Sequence, residues 1–256
     1  MSLNSKHLIN NSTPLLEVCA ADPDSISEAA KGGAARVELC SALGEGGVTP
    51  SEGLIRHALR QPGLIVHVLI RPRGGDFIYN DAEIACMCDD IRRAHQLGAH
   101  GVVIGALTPD GDIDVEACKR MIAEAPGMNI TFHRAFDLCR NPLEALDTII
   151  DLGCNRLLTS GQEASALKGV EMLAKLTEHS AGRITILAGA GVNASNAAEI
   201  MHRGNVHELH ASARHSIGST MRFRRQGVNM GTPGSDEFAR STTSASVVAD
   251  IVKAMN

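Results

Sequence analysis

Short runs of Val, Ile and Leu alternate along the chain with longer segments in which apolar residues recur at helical spacing. Each run has the length and composition of a buried parallel strand. The pattern predicts eight strands, over Leu15–Ala20, Arg36–Cys40, Leu64–Arg71, Gly101–Gly105, Asn129–His133, Asn155–Ser160, Ile184–Gly189 and His207–Ser212. The segments between them are long enough for one crossover helix each.

Turn and cap residues mark the ends of these helices. Asp22-Pro23 begins the first, with Asp at the N-cap and Pro at the first helical position, and Lys31-Gly32-Gly33 ends it. Asn141-Pro142 begins the fifth and Asn193-Ala194-Ser195 the seventh. Eight strand–helix units in 256 residues predict an α/β fold, a single-domain (β/α)8 TIM barrel. A doubly wound sheet is the alternative, but no G-x-G-x-x-G follows the first strand.

Both ends of the chain fall outside the repeat. The first fourteen residues are polar and lack the apolar segment of a secretory signal, so we expect a flexible N-terminal extension over 1–14. The TIM-barrel domain then spans 15–256, with a C-terminal tail and a last helix near Ser244–Ala254. The tail contains a basic segment, Met221–Arg225, which is a subunit contact, a lid over the barrel or a solvated loop.

The composition argues against two classes of partner, nucleic acids and membranes. The chain is 44% hydrophobic but has one Tyr, five Phe and no Trp, too few rings for a nucleic-acid stacking platform or a membrane-interface belt. The net charge of −5 gives no basic field for a phosphate backbone. No apolar run reaches the length of a membrane span. We therefore expect neither nucleic acid nor a membrane as partner, and the seven irregularly spaced cysteines indicate reduced thiols in the cytoplasm.

Alternation along the strands predicts which side chains point into the barrel. The first two strands alternate aliphatic residues with a Glu-x-Cys pair, which we expect to point inward. The inward set at the strand ends is then Glu17, Cys19, Glu38, Cys40, His67, Arg71, His133 and, after the eighth strand, either His210 with Ser212 or the set shifted by one residue. Barrel chemistry lies at these ends, although buried charges also form purely structural networks.

A second candidate feature is an anion site. Glycine-rich turns expose backbone N–H groups, and barrels often bind phosphate after the last two strands. Gly189 and Gly191 follow the seventh strand, Ser212 the eighth and Ser160 the sixth. The alternative is that these glycines only make tight turns.

Several segments resemble motifs of the CutC copper homeostasis family. They are Glu17-x-Cys19, Arg36-Val-Glu38-Leu-Cys40 followed by Glu45-Gly-Gly, Ile70-Arg-Pro-Arg-Gly-Gly-Asp-Phe77, Thr131-Phe-His-Arg-Ala-Phe-Asp137, Leu158-Thr-Ser-Gly161, Ala188-Gly-Ala-Gly-Val192 and Met221-Arg-Phe-Arg. The resemblance implies a single-domain barrel in the cytoplasm, a homo-oligomer (dimer or tetramer) and a role in copper tolerance. It also implies Cys19 and Cys40 as the ligands of Cu(I).

Two functions follow from these residues. One is copper homeostasis with Cu(I) bound by Cys19 and Cys40, since thiolates select Cu(I); the alternative for the thiols is that they are small buried hydrophobes. The other function is an enzyme acting on a small phosphorylated or carboxylated metabolite. Its catalytic residues would be Glu17 or Glu38 as base, His133 as acid, and Asp137; its substrate-binding residues would be Arg71 and Arg73 as a clamp, with His67, Ser160, Gly189, Gly191, His210 and Ser212.

Overall fold

The computed structural model describes residues 14–225, 227–228 and 236–256. Eight parallel strands close a barrel in chain order, and the first strand pairs with both the second and the eighth. They are β1 (Leu15–Ala20), β2 (Arg36–Leu39), β3 (Ile65–Leu69), β4 (Gly101–Ile104), β5 (Asn129–Phe132), β6 (Arg156–Thr159), β7 (Thr185–Ala188) and β8 (Glu208–Ala211). The predicted (β/α)8 barrel is confirmed, while positions 1–13 of the predicted extension lie outside the described residues.

Eight α-helices follow the strands. They are α1 (Pro23–Lys31), α2 (Glu52–Ala58), α3 (Asp81–Leu97), α4 (Val115–Ala123), α5 (Pro142–Asp151), α6 (Val170–Ser180), α7 (Ala197–Gly204) and α8 (Ala245–Ala254). Short 3-10 helices cover Leu43–Glu45 and Arg134–Leu138. Within the described ranges, no helix has both the length and the apolar character needed to span a bilayer.

The helix ends follow local capping chemistry. The Asp22 carboxylate accepts the Ser25 N–H at 2.9 Å and Pro23 is the first residue of α1, as predicted. The predicted start of α7 at Asn193–Ser195 is three to four residues early. The Asn193 side chain instead accepts the Ser195 N–H at 2.9 Å, a local turn that competes with helix.

An antiparallel hairpin after β8 was not predicted. Its strands are β9 (Arg214–Gly218) and β10 (Ala239–Thr243), and neither has the apolar alternation that indicates a strand. The hairpin is held against α1 by Arg240, which donates to Asp24 at 2.6 Å, and by a hydrogen bond of 3.1 Å between the Ser25 and Thr242 hydroxyls. The basic segment Met221–Arg225 follows β9 and precedes β10 in the chain, and its residues are exposed.

The barrel divides its side chains between two layers. Aliphatic residues that point outward, such as Val18, Val37 and Val66, are fully buried against the helices. At the inward positions nearer the amino ends of the strands, which we call the lower half of the barrel, the side chains are charged instead. Arg36 pairs with Glu17 and, at 2.5 Å, with Glu208, which also accepts from Arg156 at 2.9 Å. We call these four residues the lower network.

Candidate functional site

A cavity of about 320 Å³ opens at the carboxyl ends of the strands, which we call the mouth of the barrel. Its wall comes from seven of the eight strand ends and from the hairpin. The lining residues are Cys19, Glu38, Leu43, Gly46, Leu69, Arg71, Phe77, His133, Arg134, Leu158, Ala190, Gly191, Val192, His210, Ala211, Ser212 and Arg214. This volume lies in the range of small-molecule sites, roughly 300–1,000 Å³.

Two cysteine thiols meet at one side of the mouth. In the β1–β2 ladder Cys19 lies opposite Glu38, so Cys40, two residues further on, lies one inward position nearer the carboxyl ends of the strands. The Sγ atoms are 3.3 Å apart, both residues are buried, and neither is in a disulfide. The hydrogen bond with Cys40, burial and the Glu38 carboxylate together raise the pKa of the Cys19 thiol.

His210 lies beside this pair and connects it to the interior. Its Nδ1 is 2.8 Å from Glu17 Oε1 and its Nε2 is 3.8 Å from Glu38 Oε2. The ligand-type atoms of Cys19, Glu38 and His210 all lie within 4.8 Å of one another. We call Cys19, Cys40, Glu38 and His210 the thiol cluster. The inward position of His210 decides the register of the eighth strand that the sequence left open.

The carboxyl and imidazole groups around the thiol cluster have pKa values shifted in different directions. Burial by itself raises the pKa of Glu17, but Arg36 and His210 outweigh it and hold this pKa well below its ordinary value. Burial is the main cause that raises the pKa of Glu38. For His210 burial opposes the charge, but the Glu38 and Glu17 carboxylates and the hydrogen bond with Cys19 raise its pKa.

Arg71 lies in another part of the wall and is only 5% exposed. Its Nη1 donates to the carbonyls of Glu45 at 2.7 Å and Gly47 at 3.0 Å, and its Nη2 donates to Gly75 O at 2.7 Å. Its Nε is buried without a hydrogen-bond partner. The guanidinium carbon lies 4.8 Å from the centre of the Phe77 ring, a cation–π contact.

His133 also packs against the ring of Phe77. Its ring centre is 4.9 Å from that of Phe77. The Nδ1 accepts the Ala135 N–H at 3.2 Å, and the Nε2 is buried without a partner. Burial and the positive charge of Arg71 lower the pKa of His133 to about 3. The ring is therefore neutral at pH 7, and because Nδ1 is the acceptor, Nε2 carries the proton.

A glycine that sequence reasoning passed over makes room for this ring. A Cβ on Gly105 would lie 2.5 Å from the Nδ1 and Cε1 atoms of His133. The sequence offered one signal, a glycine at the carboxyl end of a predicted strand, where close approach of a neighbour is a common reason for glycine.

Other predicted site residues lie outside the cavity wall. Two of the predicted residues, Asp137 and Ser160, bind each other, since Ser160 Oγ donates to Asp137 at 2.9 Å. Asp137 also accepts from Arg134 Nε at 2.7 Å. Arg73 is paired with Glu83 at 2.6 Å and does not join Arg71 in a clamp.

His67 lies deeper in the barrel than the cavity. It is buried, and burial lowers its pKa to about 3.

The turns after β7 and β8 close the remaining side of the cavity. Gly191, with φ of +72°, and Ser212 lie in the wall. Gly189 lies behind it, and a Cβ there would meet Leu158 Cδ1 at 2.7 Å. Arg214 reaches the wall from β9, and it was missed because the hairpin itself gave no sequence signal.

Comparison with known proteins identifies the family. The model of the CutC family matches residues 14–215. The CutC family protein of Chromobacterium violaceum is 48% identical over 242 residues, covering 94% of this chain and 98% of the relative. That of Bacteroides thetaiotaomicron is 48% identical over 243 residues, covering 93% and 97%.

A solved structure agrees. The CutC protein of Streptococcus agalactiae, whose name assigns it to copper homeostasis, is 35% identical with a TM-score of 0.75, covering 78% of this chain and 99% of that one. The match covers most of the chain and includes every strand of the barrel. The resemblance read from the motifs is confirmed, and the chain belongs to the CutC family.

Proposed function

We propose that this protein acts in copper homeostasis by binding one Cu(I) ion through Cys19 and Cys40. The observation that carries the proposal is the distance of 3.3 Å between the two free thiols at the mouth of the barrel. Soft thiolate ligands select Cu(I) over the harder divalent ions. Both thiols are buried, which protects a bound ion from competing ligands in solution.

His210 supports the same proposal as a third donor. Its Nδ1 is held by the Glu17 carboxylate at 2.8 Å, and its Nε2 points toward Cys19 and Glu38. A carboxylate bound to the far nitrogen is the arrangement that orients metal-binding histidines. Because thiol protons must leave when a metal binds, and the raised pKa of His210 keeps a proton on its Nε2, uptake of Cu(I) by all three side chains would release protons from the pair and from His210.

An anaerobic Cu(I) titration of the reduced protein against a chromophoric competitor tests this proposal. We expect one tightly bound ion in the wild type and at least a hundredfold weaker binding in the Cys19→Ser, Cys40→Ser double variant. A Cys86→Ser, Cys88→Ser variant is the control, since these thiols lie on α3, away from the mouth. Equal binding by the two double variants would contradict the proposal.

A second candidate is a barrel enzyme acting on a small metabolite. The specific observation in its favour is the cavity of about 320 Å³, far larger than one ion needs, with Glu38 and His133 in its wall. Glu38 would serve as base and His133 as donor. Incubation with a panel of phosphorylated and carboxylated metabolites, followed by NMR, would reveal turnover that Glu38→Gln abolishes. Turnover that persists in Glu38→Gln would remove this role.

Location and assembly stay predictions. Free thiols suit the reducing cytoplasm, and the family resemblance implies a homo-oligomer. Light scattering of the purified chain gives the oligomeric state directly, and fractionation of the cell gives the location.

A further inference from the structure

Arg71 is a buried cation that has no anionic partner among the described residues. Three of its five N–H groups donate to backbone carbonyls, and in the described part of the chain no carboxylate lies within ion-pairing distance of the guanidinium. A buried charge normally has an opposite charge beside it, because its hydration has been lost. Two N–H groups of the side chain remain, and one of them, on Nε, is buried without a hydrogen-bond partner.

A second unpartnered donor belongs to a residue that lines the same cavity. His133 Nε2 carries the ring proton and has no acceptor. Each of the two residues is only 5% exposed, and both line the cavity. The Phe77 ring lies 4.8 Å from the guanidinium carbon and 4.9 Å from the centre of the imidazole, so one ring holds the two groups in place.

We propose that Arg71 and His133 form a binding subsite for the oxyanion group, carboxylate or phosphate, of a small organic molecule that fills the cavity. The guanidinium supplies the positive charge and an N–H, and the imidazole adds a neutral N–H from a second direction. Hydrogen bonds to charged groups are the strong ones, and both donors are already fixed before the ligand arrives. The subsite does not rest on copper, since it uses none of the four residues of the thiol cluster.

Neighbouring residues explain why the two donors are held rigidly. The Glu45–Gly47 turn wraps the guanidinium, and a Cβ on Gly46 would lie 3.1 Å from Nη1. His133 caps the 3-10 helix Arg134–Leu138 through Nδ1, which fixes the orientation of its ring. Neither donor can turn away to find another acceptor without breaking these contacts.

The test is a thermal-shift and calorimetric titration of the metal-free full-length protein with sodium acetate and with inorganic phosphate, against sodium chloride at equal ionic strength. We expect at least one oxyanion to raise Tm and to bind, since a ligand of the folded state stabilises it. Phosphate alone would indicate a phosphorylated ligand, and acetate a carboxylate. Failure of both to bind would overturn the proposal, while leaving the copper titration unaffected.

Variants locate the binding. His133→Asn keeps an acceptor for the Ala135 N–H, since Asn is a good N-cap, but removes Nε2–H; we expect about tenfold weaker binding. Arg71→Gln should abolish it. Arg73→Gln is the matched control, because Arg73 lies two residues from Arg71 but pairs with Glu83. This variant should change the affinity less than twofold.

Arg71→Gln loses three contacts to loops, so a measurement on the wild type completes the set. The imidazole Nε2 resonance of His133 should shift on titration with the anion. Binding with no shift of this resonance, or equal loss in the Arg71 and Arg73 variants, would overturn the assignment.

Discussion

Both halves of the barrel interior bury charged side chains, but they arrange the charge differently. In the lower network each guanidinium faces a carboxylate, at 2.5 Å between Arg36 and Glu208 and at 2.9 Å between Arg156 and Glu208. At the mouth, Arg71 donates to three backbone carbonyls and contacts the Phe77 ring but pairs with no carboxylate of the described residues, and His133 Nε2 is buried without a partner among them. The charges of the lower network are paired among themselves, whereas among the described residues the charge of Arg71 has no carboxylate beside it.

This difference separates architecture from function in a barrel whose interior is polar throughout. Burial alone does not distinguish the halves, since Arg36 and Arg71 are both buried. Pairing does, because a buried charge without an opposite charge beside it is costly, and a bound anion would relieve that cost. The following three predictions use that contrast, and the first carries the largest expected effect.

Removal of Arg36 should destabilise the protein most. Arg36→Leu leaves the buried Glu17 and Glu208 carboxylates without their common partner, and breaking a buried pair costs about 3–5 kcal/mol. Chemical denaturation measures the loss in the free energy of unfolding. The control is Arg93→Leu, whose pair with Glu52 lies on the surface, where ion pairs contribute little to stability. Similar losses in the two variants would mean that the lower network is not a structural unit.

Acid should weaken the fold through His67 and His133, one from each half. Burial holds the folded-state pKa of both near 3, below the ordinary value of about 6.5. The unfolded chain therefore binds more protons between pH 6.5 and 3, and stability falls as the pH falls through this window. Between pH 7 and pH 5 each histidine should remove about 2 kcal/mol from the free energy of unfolding.

Denaturation curves at the two pH values check this expectation. His133→Asn should reduce the pH dependence by about half of the two-histidine total. His202→Asn, at an exposed position, should leave it unchanged. A pH dependence in His133→Asn equal to that of the wild type would contradict a neutral His133 ring, since His210 and Glu38, whose pKa values are raised, contribute with the opposite sign in both proteins.

Gly105→Ala should have the smallest effect on stability and a selective effect on the mouth. The new Cβ would enter the space of the His133 ring, and overpacking of this kind costs about 1–3 kcal/mol. Because the ring must shift, oxyanion binding should weaken with it. Gly218→Ala is the control, since nothing lies within 4 Å of a Cβ there. Denaturation and calorimetry on the two variants separate the effects, and full oxyanion affinity in Gly105→Ala would argue against a role for His133.

At the mouth, the sequence predicted the positions of the side chains better than it predicted their pairing. Strand positions, inward faces and the meeting of Cys19 with Cys40 followed from periodicity and from the motifs, because side-chain alternation is a local property of a strand. Arg71 and Arg73 were predicted to form one clamp, since both belong to one short motif at the end of the third strand. Only the positions of the Glu45–Gly47 turn and of Glu83 separate them.

By itself the sequence determined the barrel, its order of strands and helices, and the set of polar residues at the strand ends. Hydrophobic periodicity and caps act within a few residues, so they can be read in one dimension. The tertiary structure decided which of those polar groups are paired and which are left free, and it brought Arg214 to the mouth through an unpredicted hairpin. Pairing depends on distances between residues far apart in the chain, and those distances exist only once the barrel has closed.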